Sequence, residues 1–365
     1  MTAVKTISGK KQTLPYICLG YSSAPTTLYA IVPNHAVLKS NRQHWQIFHQ
    51  NQLHVQIPKS RICQIVLFGR CHLSRRTIRQ ALAQNVRIAY FSLQGSYLGC
   101  LEPESPKLQY LSQQARCARQ PKLTRETAAS ILRVKLQNCL TLLKYLQQQQ
   151  HNQTIETSLK TIAQLQAQLP ANDSPQNLHR YKGLAANIYY RALGSALGRE
   201  FGFRKRTKRP PRDPASALFK LGYSLLDVKV ATLLAAKGLH PHFGNLHAGS
   251  DRRAALVLDL VQAFQPVLVD ALVVRTLTAG KLSRDRFLVS SKSCVEPRRS
   301  KGMYLEASAL HQFLQYWEKY LTSLTIHPYT NTQVSYEQCL DMQVCEYIAW
   351  LCGDAIAYRP FLWKG

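Results

Sequence analysis

The sequence predicts an α+β chain of two parts: a small, mainly β N-terminal domain over residues 1–105 and a larger all-α C-terminal domain over 106–365. Three observations predict it. Short β-branched and aromatic runs fill the first hundred residues. The stretch Pro103-Glu-Ser-Pro-Lys107 then marks a change of composition. Beyond it, apolar residues recur at helical spacing. A length of 365 residues suits two domains of ordinary size.

The spacing predicts strands over 28–32, 46–48, 53–57, 62–68 and 86–92, the third alternating as a half-buried strand does. Ser74 is the expected N-cap of a helix over 75–84, and Gln94-Gly95-Ser96 the expected hairpin turn. Helices follow over 124–150, 152–169 and 177–198. Pro210, Pro211 and Pro214 interrupt regular structure. A further helix is expected over 215–238 with Gly238 closing it, then one over 254–264, and a third from Pro266 to about Thr278. Helices over 304–320 and 336–355 complete the chain.

Composition narrows the function. Lys and Arg total 47 against 19 Asp and Glu, a formal charge of +28. Such an imbalance implies a polyanionic partner, nucleic acid first and an anionic membrane second. Hydrophobic residues make up 45% and charged ones 18%, which excludes global disorder. The most apolar stretch, 254–277, carries Asp259, Pro266, Asp270 and Arg275, so a membrane span is not expected. The ten cysteines form no CxxC pair, which predicts reduced, mostly buried thiols and no thiolate zinc site. With no signal-type apolar run at the N-terminus, a cytoplasmic location is expected. P-loop, dinucleotide and GxSxG patterns are absent.

Three features carry chemistry. Asp259 interrupts an apolar helix and needs a partner, either an ion pair or cap or a metal; spacing alone leaves both open. His247 lies in a glycine-bracketed loop, with His240 and His242 nearby in a weak His-x-His pattern. The segment 199–212 gathers Arg199, Arg204, Lys205, Arg206, Lys208, Arg209 and Arg212, a solvated loop or a phosphate-contacting one.

From Tyr181 to Leu277 the chain resembles the CRISPR-associated (Cas) integrase-endonuclease, the subunit that inserts new spacers during CRISPR adaptation. The resemblance rests on Gly183-Leu-Ala-Ala-Asn-Ile-Tyr-Tyr190, Arg209-Pro-Pro-Arg-Asp-Pro214, Ala217-Leu-Phe-Lys-Leu-Gly-Tyr-Ser-Leu-Leu226, Lys237-Gly-Leu-His-Pro-His-Phe-Gly-Asn-Leu-His247 and Leu256-Val-Leu-Asp-Leu-Val-Gln-Ala-Phe-Gln-Pro266, with Asp270 after them. Weaker similarity covers Gly95 and Gly99, Lys135 and Asn138, Tyr304-Leu305 and the ending Tyr358-Arg-Pro-Phe-Leu-Trp363.

The resemblance implies antiviral defence by a divalent-metal-dependent DNA endonuclease and integrase. It implies Mg²⁺ or Mn²⁺ in the helical domain, a homodimer formed through the β domain, a small ferredoxin-like Cas partner, and duplex or branched DNA. Carried over by position, the metal residues are Lys182, His247, Asp259 and Gln262, with His247 and Asp259 catalytic. Lys182 stands where the family has Glu, and Gln262 where it has an acid. Ser216 and Gln265 replace the usual Asn and Arg. Hard dications favour oxygen ligands that bring charge. The two departures at the site shift it by about three charge units toward positive. The alternative implied is a family member that binds DNA without catalysis, with a Lys182–Asp259 ion pair where the metal would sit. Asp227 or Asp251 are the conceivable replacement carboxylates. Outside the family, the reading is a basic RNA-binding helical protein.

Overall fold

The structure, a computed structural model, describes residues 15–21, 25–103, 108–171, 173–207, 210–247, 254–290 and 302–365. The chain folds as two units. The first is 1–93 with 97–103, and the second is 94–96 with 104–365.

The first unit is a seven-stranded sheet of β1 (Tyr16–Leu19), β2 (Thr26–Ser40), β3 (His44–His49), β4 (Gln52–Pro58), β5 (Ile62–Leu73), β6 (Arg87–Phe91) and β7 (Tyr97–Leu101). Its order is β4-β3-β2-β5-β6-β7, with β1 on β2. The β2–β5 and β5–β6 pairs are parallel, and the remaining pairs are antiparallel. β5 is flanked on both sides, so its start, Ile62–Phe68, is apolar apart from the buried Gln64. Leu28, Leu38, Trp45, Ile47, Ile65, Leu67 and Ile88 form the core of the sheet. Helix α1 (Arg75–Ala83) is capped by Ser74, which accepts from the Thr77 amide at 3.1 Å.

Three strand expectations change. The run at 28–32 grows into the 15-residue β2, because β5 pairs along nearly its whole length. β1 was not anticipated from the sequence; its four residues carry too short a pattern. β4 does not alternate cleanly. Leu53 is exposed and only Ile57 is buried, as suits an edge strand.

The second unit is helical: α2 (Leu108–Ala118), α3 (Pro121–Gln150), α4 (Gln153–Ala167), α5 (Pro175–Ala196), α6 (Pro214–Lys237), α7 (Ala255–Phe264), α8 (Ala271–Thr278), α9 (Ala307–Leu321) and α10 (Tyr336–Cys352). Two short hairpins interrupt it, β8 (Phe287–Ser290) with β9 (Gly302–Leu305) and β10 (Leu324–Ile326) with β11 (Gln333–Ser335). Neither hairpin was expected, and Tyr304 lies in β9 rather than in α9. Gly238 and Gly353 close α6 and α10 in the left-handed conformation. The 336–355 helix therefore stops at Cys352.

Pro266 does not open a separate helix. The chain runs from α7 through a π-helical turn, Gln265–Asp270, into α8. A widened turn absorbs the proline's missing N–H without ending the helix. The Ala255–Thr278 run is apolar and long enough to span a bilayer by composition, yet 89% of its most apolar window is buried within the structure. It is a core helix. Gly222 on α6 permits this packing, since an added Cβ would meet Val269 Cγ1 at 2.6 Å.

The C-terminal tail is held against α3 and α7. Buried Asn138 donates to the carbonyls of Ala263 (2.8 Å) and Phe361 (2.9 Å) and accepts from the Trp363 amide (2.9 Å). Phe361 stacks on Phe264 with ring centroids 4.9 Å apart.

The thiols are less buried than expected. Cys18, Cys139 and Cys339 are buried, while Cys345 is exposed and the other described cysteines lie between. Cys294 lies outside the described residues.

Candidate functional site

Asp259 sits on α7 and is 1% exposed. A carboxylate buried that deeply needs donors. The loop before α7 supplies them. Oδ2 accepts the amides of Asn245 (2.5 Å) and Leu246 (2.9 Å), and Oδ1 accepts the His247 amide at 3.0 Å. Three successive amides converge on one anion, a backbone nest closed by a side chain. Gly244 makes the approach possible, because a Cβ there would lie 2.7 Å from Ala255. The same loop is pinned from α2, where Gln114 exchanges two 2.9 Å hydrogen bonds with the backbone of His240.

The His247 imidazole completes the nest, with Nδ1 2.7 Å from Asp259 Oδ1. Its Nε2 lies 2.7 Å from Lys182 Nζ on α5. An ammonium only donates and a carboxylate only accepts. The ring between them is therefore the neutral Nδ1–H tautomer, its Nε2 lone pair turned to Lys182. Burial, first, holds His247 below the ordinary histidine range; Lys182 acts in the same direction and the Asp259 hydrogen bond opposes it. The expected Lys182–Asp259 contact is thus replaced by a relay in which His247 stands between the two.

Gln262, one turn along α7 and 2% exposed, faces α3. Its Oε1 accepts from Lys135 Nζ at 2.6 Å, and Gln265 Oε1 accepts from the same ammonium at 2.8 Å. Lys135 was noted in the sequence only as fitting a long helix. The sign that it belongs to the site is a lysine on the half-buried face of an amphipathic helix.

These residues do not fit a divalent cation. A metal would need the His247 lone pair, which meets an ammonium. It would need Asp259 oxygens that already accept four hydrogen bonds, and the Gln262 carbonyl, which accepts from Lys135. Among the described residues no group of three or more His, Cys, Asp or Glu side chains converges. The His240 and His242 rings lie 5.3 Å apart, tilted by 48°, but gather no third ligand among the described residues. Asp251 lies outside the described residues. Burial pushes Asp227 on α6 up to about 7, with Arg206 pulling it back.

The basic segment divides. Arg199, Arg204, Lys205 and Arg212 are exposed, and Lys208 and Arg209 lie outside the described residues. Arg206 turns inward, against the expectation that it faces DNA. Its guanidinium stacks 4.1 Å from the Tyr223 ring centroid, and its Nη1 donates to Tyr190 Oη at 3.3 Å. Behind it, Tyr223 and Tyr189 donate to the two oxygens of Asp270, the latter at 2.9 Å. Asp270 is 1% exposed, and burial pushes it up to about 6. At the segment's end, Asp213 caps α6 and accepts from both the amide and the hydroxyl of Ser216 at 2.7 Å.

Residues 29–319 match the family described as CRISPR associated protein Cas1. A CRISPR-associated endonuclease Cas1 of Methanospirillum hungatei is 27% identical over 84% of this chain and 82% of its own length. One from Thermus thermophilus is 28% identical over 84% and 88%. Among solved structures, a Cas1 protein from Thermotoga maritima superposes with a TM-score of 0.77 at 22% identity, covering 90% of this chain and 97% of that one. A casposase bound to integration product gives 0.75 at 16%, covering 91% and 92%. A Cas6-RT-Cas1–Cas2 complex gives 0.80 at 18%, covering 94% of this chain but 36% of that longer one. With the family matched over most of its length and the fold shared, the chain belongs to the Cas1 family, whose fold is a β-sheet unit followed by a larger helical one.

Proposed function

We propose that this chain serves CRISPR adaptation by holding DNA, without a metal-dependent catalytic centre of its own. The observation that carries this reading is the Lys182 ammonium, 2.7 Å from the His247 nitrogen that a metal would need. Family membership supports the setting, and the +28 charge supports the DNA. The relatives include a casposase solved on integration product and a chain in a Cas1–Cas2 complex, which supports DNA and a small Cas subunit as partners here. On this reading the exposed Arg199, Arg204, Lys205 and Arg212 meet phosphates, while Arg206 anchors the segment. The chain pairs as a homodimer through its N-terminal sheet.

A salt titration tests the DNA half. Affinity for branched and duplex DNA, measured in EDTA, is expected to fall steeply with salt, as phosphate contacts require. Weak binding with a shallow slope would contradict it. Preference for structured RNA over DNA would contradict it in another way.

A further inference from the structure

We propose that Arg206 is a latch with two seats, the Tyr190–Tyr223 ring pair that it occupies and the Asp227 carboxylate one turn along α6, and that the charge on Asp227 selects between them. This rests on the DNA-holding reading above and adds how that hold is regulated. The occupied seat is incomplete. The guanidinium lies 4.1 Å from the Tyr223 ring centroid and 5.6 Å from that of Tyr190. Its hydrogen bond there, from Nη1 to Tyr190 Oη, is long at 3.3 Å. Its Nε is buried with no partner among the described residues. Asp227 follows Tyr223 by four residues, so the two share a face of α6. Asp227 Oδ1 is likewise buried without a partner among the described residues. A buried cationic donor and a buried acceptor thus stand side by side, and each costs free energy while it stays unpaired.

Protonated, the Asp227 carboxyl is neutral and the rings hold Arg206. Ionised, it offers Nε and a terminal nitrogen charge-assisted bonds, stronger than a ring face with one long hydrogen bond. Burial holds this carboxyl up to about 7 against the pull of Arg206, so both forms are populated near neutral pH. The other titratable groups on the elements around α6 are engaged. Tyr189 and Tyr223 hold Asp270 of the π turn, and amides hold Asp259 of α7. Glu337 and Asp341 of α10 pair with Lys229 and Lys237, and Arg275 of α8 lies against Tyr145 and Tyr320. Strand β9 brings Tyr304.

The reseating reaches DNA through a short bridge. Phe203 is buried and packs on Phe219, their ring centroids 5.6 Å apart. The Thr207 amide donates to Ser216 Oγ at 3.0 Å, at the start of α6. Between these fixed points lie the exposed Arg204 and Lys205, then Arg206. When Arg206 leaves Tyr190, the bridge loses a tie to α5 and its two exposed cations turn. The carboxylate also cancels one positive charge of the segment.

The test compares the wild-type chain with Asp227→Asn and Asp227→Ala, in EDTA, between about pH 6 and about pH 8. Melting curves establish which variants fold. Trypsin cleavage after Arg204 and Lys205, timed by mass spectrometry, reads the bridge without DNA. Wild type and variants are expected to be cut alike at the lower pH. At the higher pH the wild type is expected to be cut about threefold faster than either variant. Over the same range its DNA affinity is expected to fall by about threefold more than theirs. A ratio of wild-type to variant cleavage that stays constant across pH would overturn the latch. A cleavage ratio that diverges while the affinity ratio stays constant would overturn its link to DNA. A shallow salt slope in the wild-type chain would overturn the DNA-holding reading, and the cleavage ratio alone would then decide the latch.

Discussion

Lys182 Nζ and His247 Nε2 lie 2.7 Å apart, and the other ring nitrogen of His247 lies 2.7 Å from Asp259. This lysine–imidazole–carboxylate line joins α5 to the loop before α7, where a catalytic member of the family is implied to hold a dication. The ammonium cross-links the two elements by hydrogen bonds and leaves one positive charge where a metal would bring two.

The relay makes a prediction about metals. Titration calorimetry of the wild-type chain with Mn²⁺ is expected to show no site of micromolar strength. Lys182→Glu with Gln262→Glu removes the ammonium and returns two oxygen-bearing charges beside His247 and Asp259. That double variant is expected to bind Mn²⁺, while Gln262→Glu alone is not.

Asn138 predicts a stability effect. It is fully buried and makes three hydrogen bonds, two of them to the C-terminal tail. Asn138→Ala leaves a tail carbonyl, the Ala263 carbonyl and the Trp363 amide short of partners. A loss of about 2–4 kcal/mol is expected in denaturant unfolding. Amide exchange in residues 358–363 is expected to quicken more than in α3.

Arg206 and Arg204 are neighbours in sequence with different tasks. Arg206→Ala removes a guanidinium stacked on Tyr223 and hydrogen-bonded to Tyr190. It is expected to cost about 1–3 kcal/mol of stability. Arg204→Ala is expected to leave stability within about 0.5 kcal/mol and to reduce the DNA salt slope by about one unit. Thermal melts and anisotropy titrations on both variants separate the two roles.

Asp227 predicts a pH dependence. Burial pushes it up to about 7, from an unfolded value of about 4. Its Oδ1 is buried with no hydrogen-bond partner among the described residues. A carboxyl raised on folding contributes stability while protonated. That contribution is complete below about pH 4 and is lost as pH rises through about 7. Asp227→Asn removes the loss. It is expected to gain about 2–4 kcal/mol over wild type at pH 8 and nothing at pH 4. An equal gain at both pH values would contradict this.

Much of the helical unit was legible because its signals are local. The cap at Gly238, like the one at Ser74 in the sheet unit, and the long periodic runs depend on neighbours a few residues away. What was missed depends on partners far along the chain. β2 is long because β5 pairs with it, and Pro266 is passed by a π turn that no propensity announces. At the site, Asp259 was visible as a lone acid in an apolar helix, but its three amide donors were not, since backbone donors leave no mark in the sequence. Lys182 was marked by its departure from the family pattern, while its choice of His247 over Asp259 needed coordinates. Arg206 reads like its basic neighbours, and only the aromatic pair of α5 and α6 tells it apart.

On the function proposed above, Lys182 excludes metal-dependent catalysis. The most direct test of this is cleavage and integration of branched DNA and supercoiled plasmid by the purified chain. The assay runs in Mn²⁺ and in Mg²⁺, beside EDTA and His247→Ala controls. Equal, background-level products are expected in all four, with DNA still bound. Metal-dependent products that disappear in EDTA and in His247→Ala would contradict it.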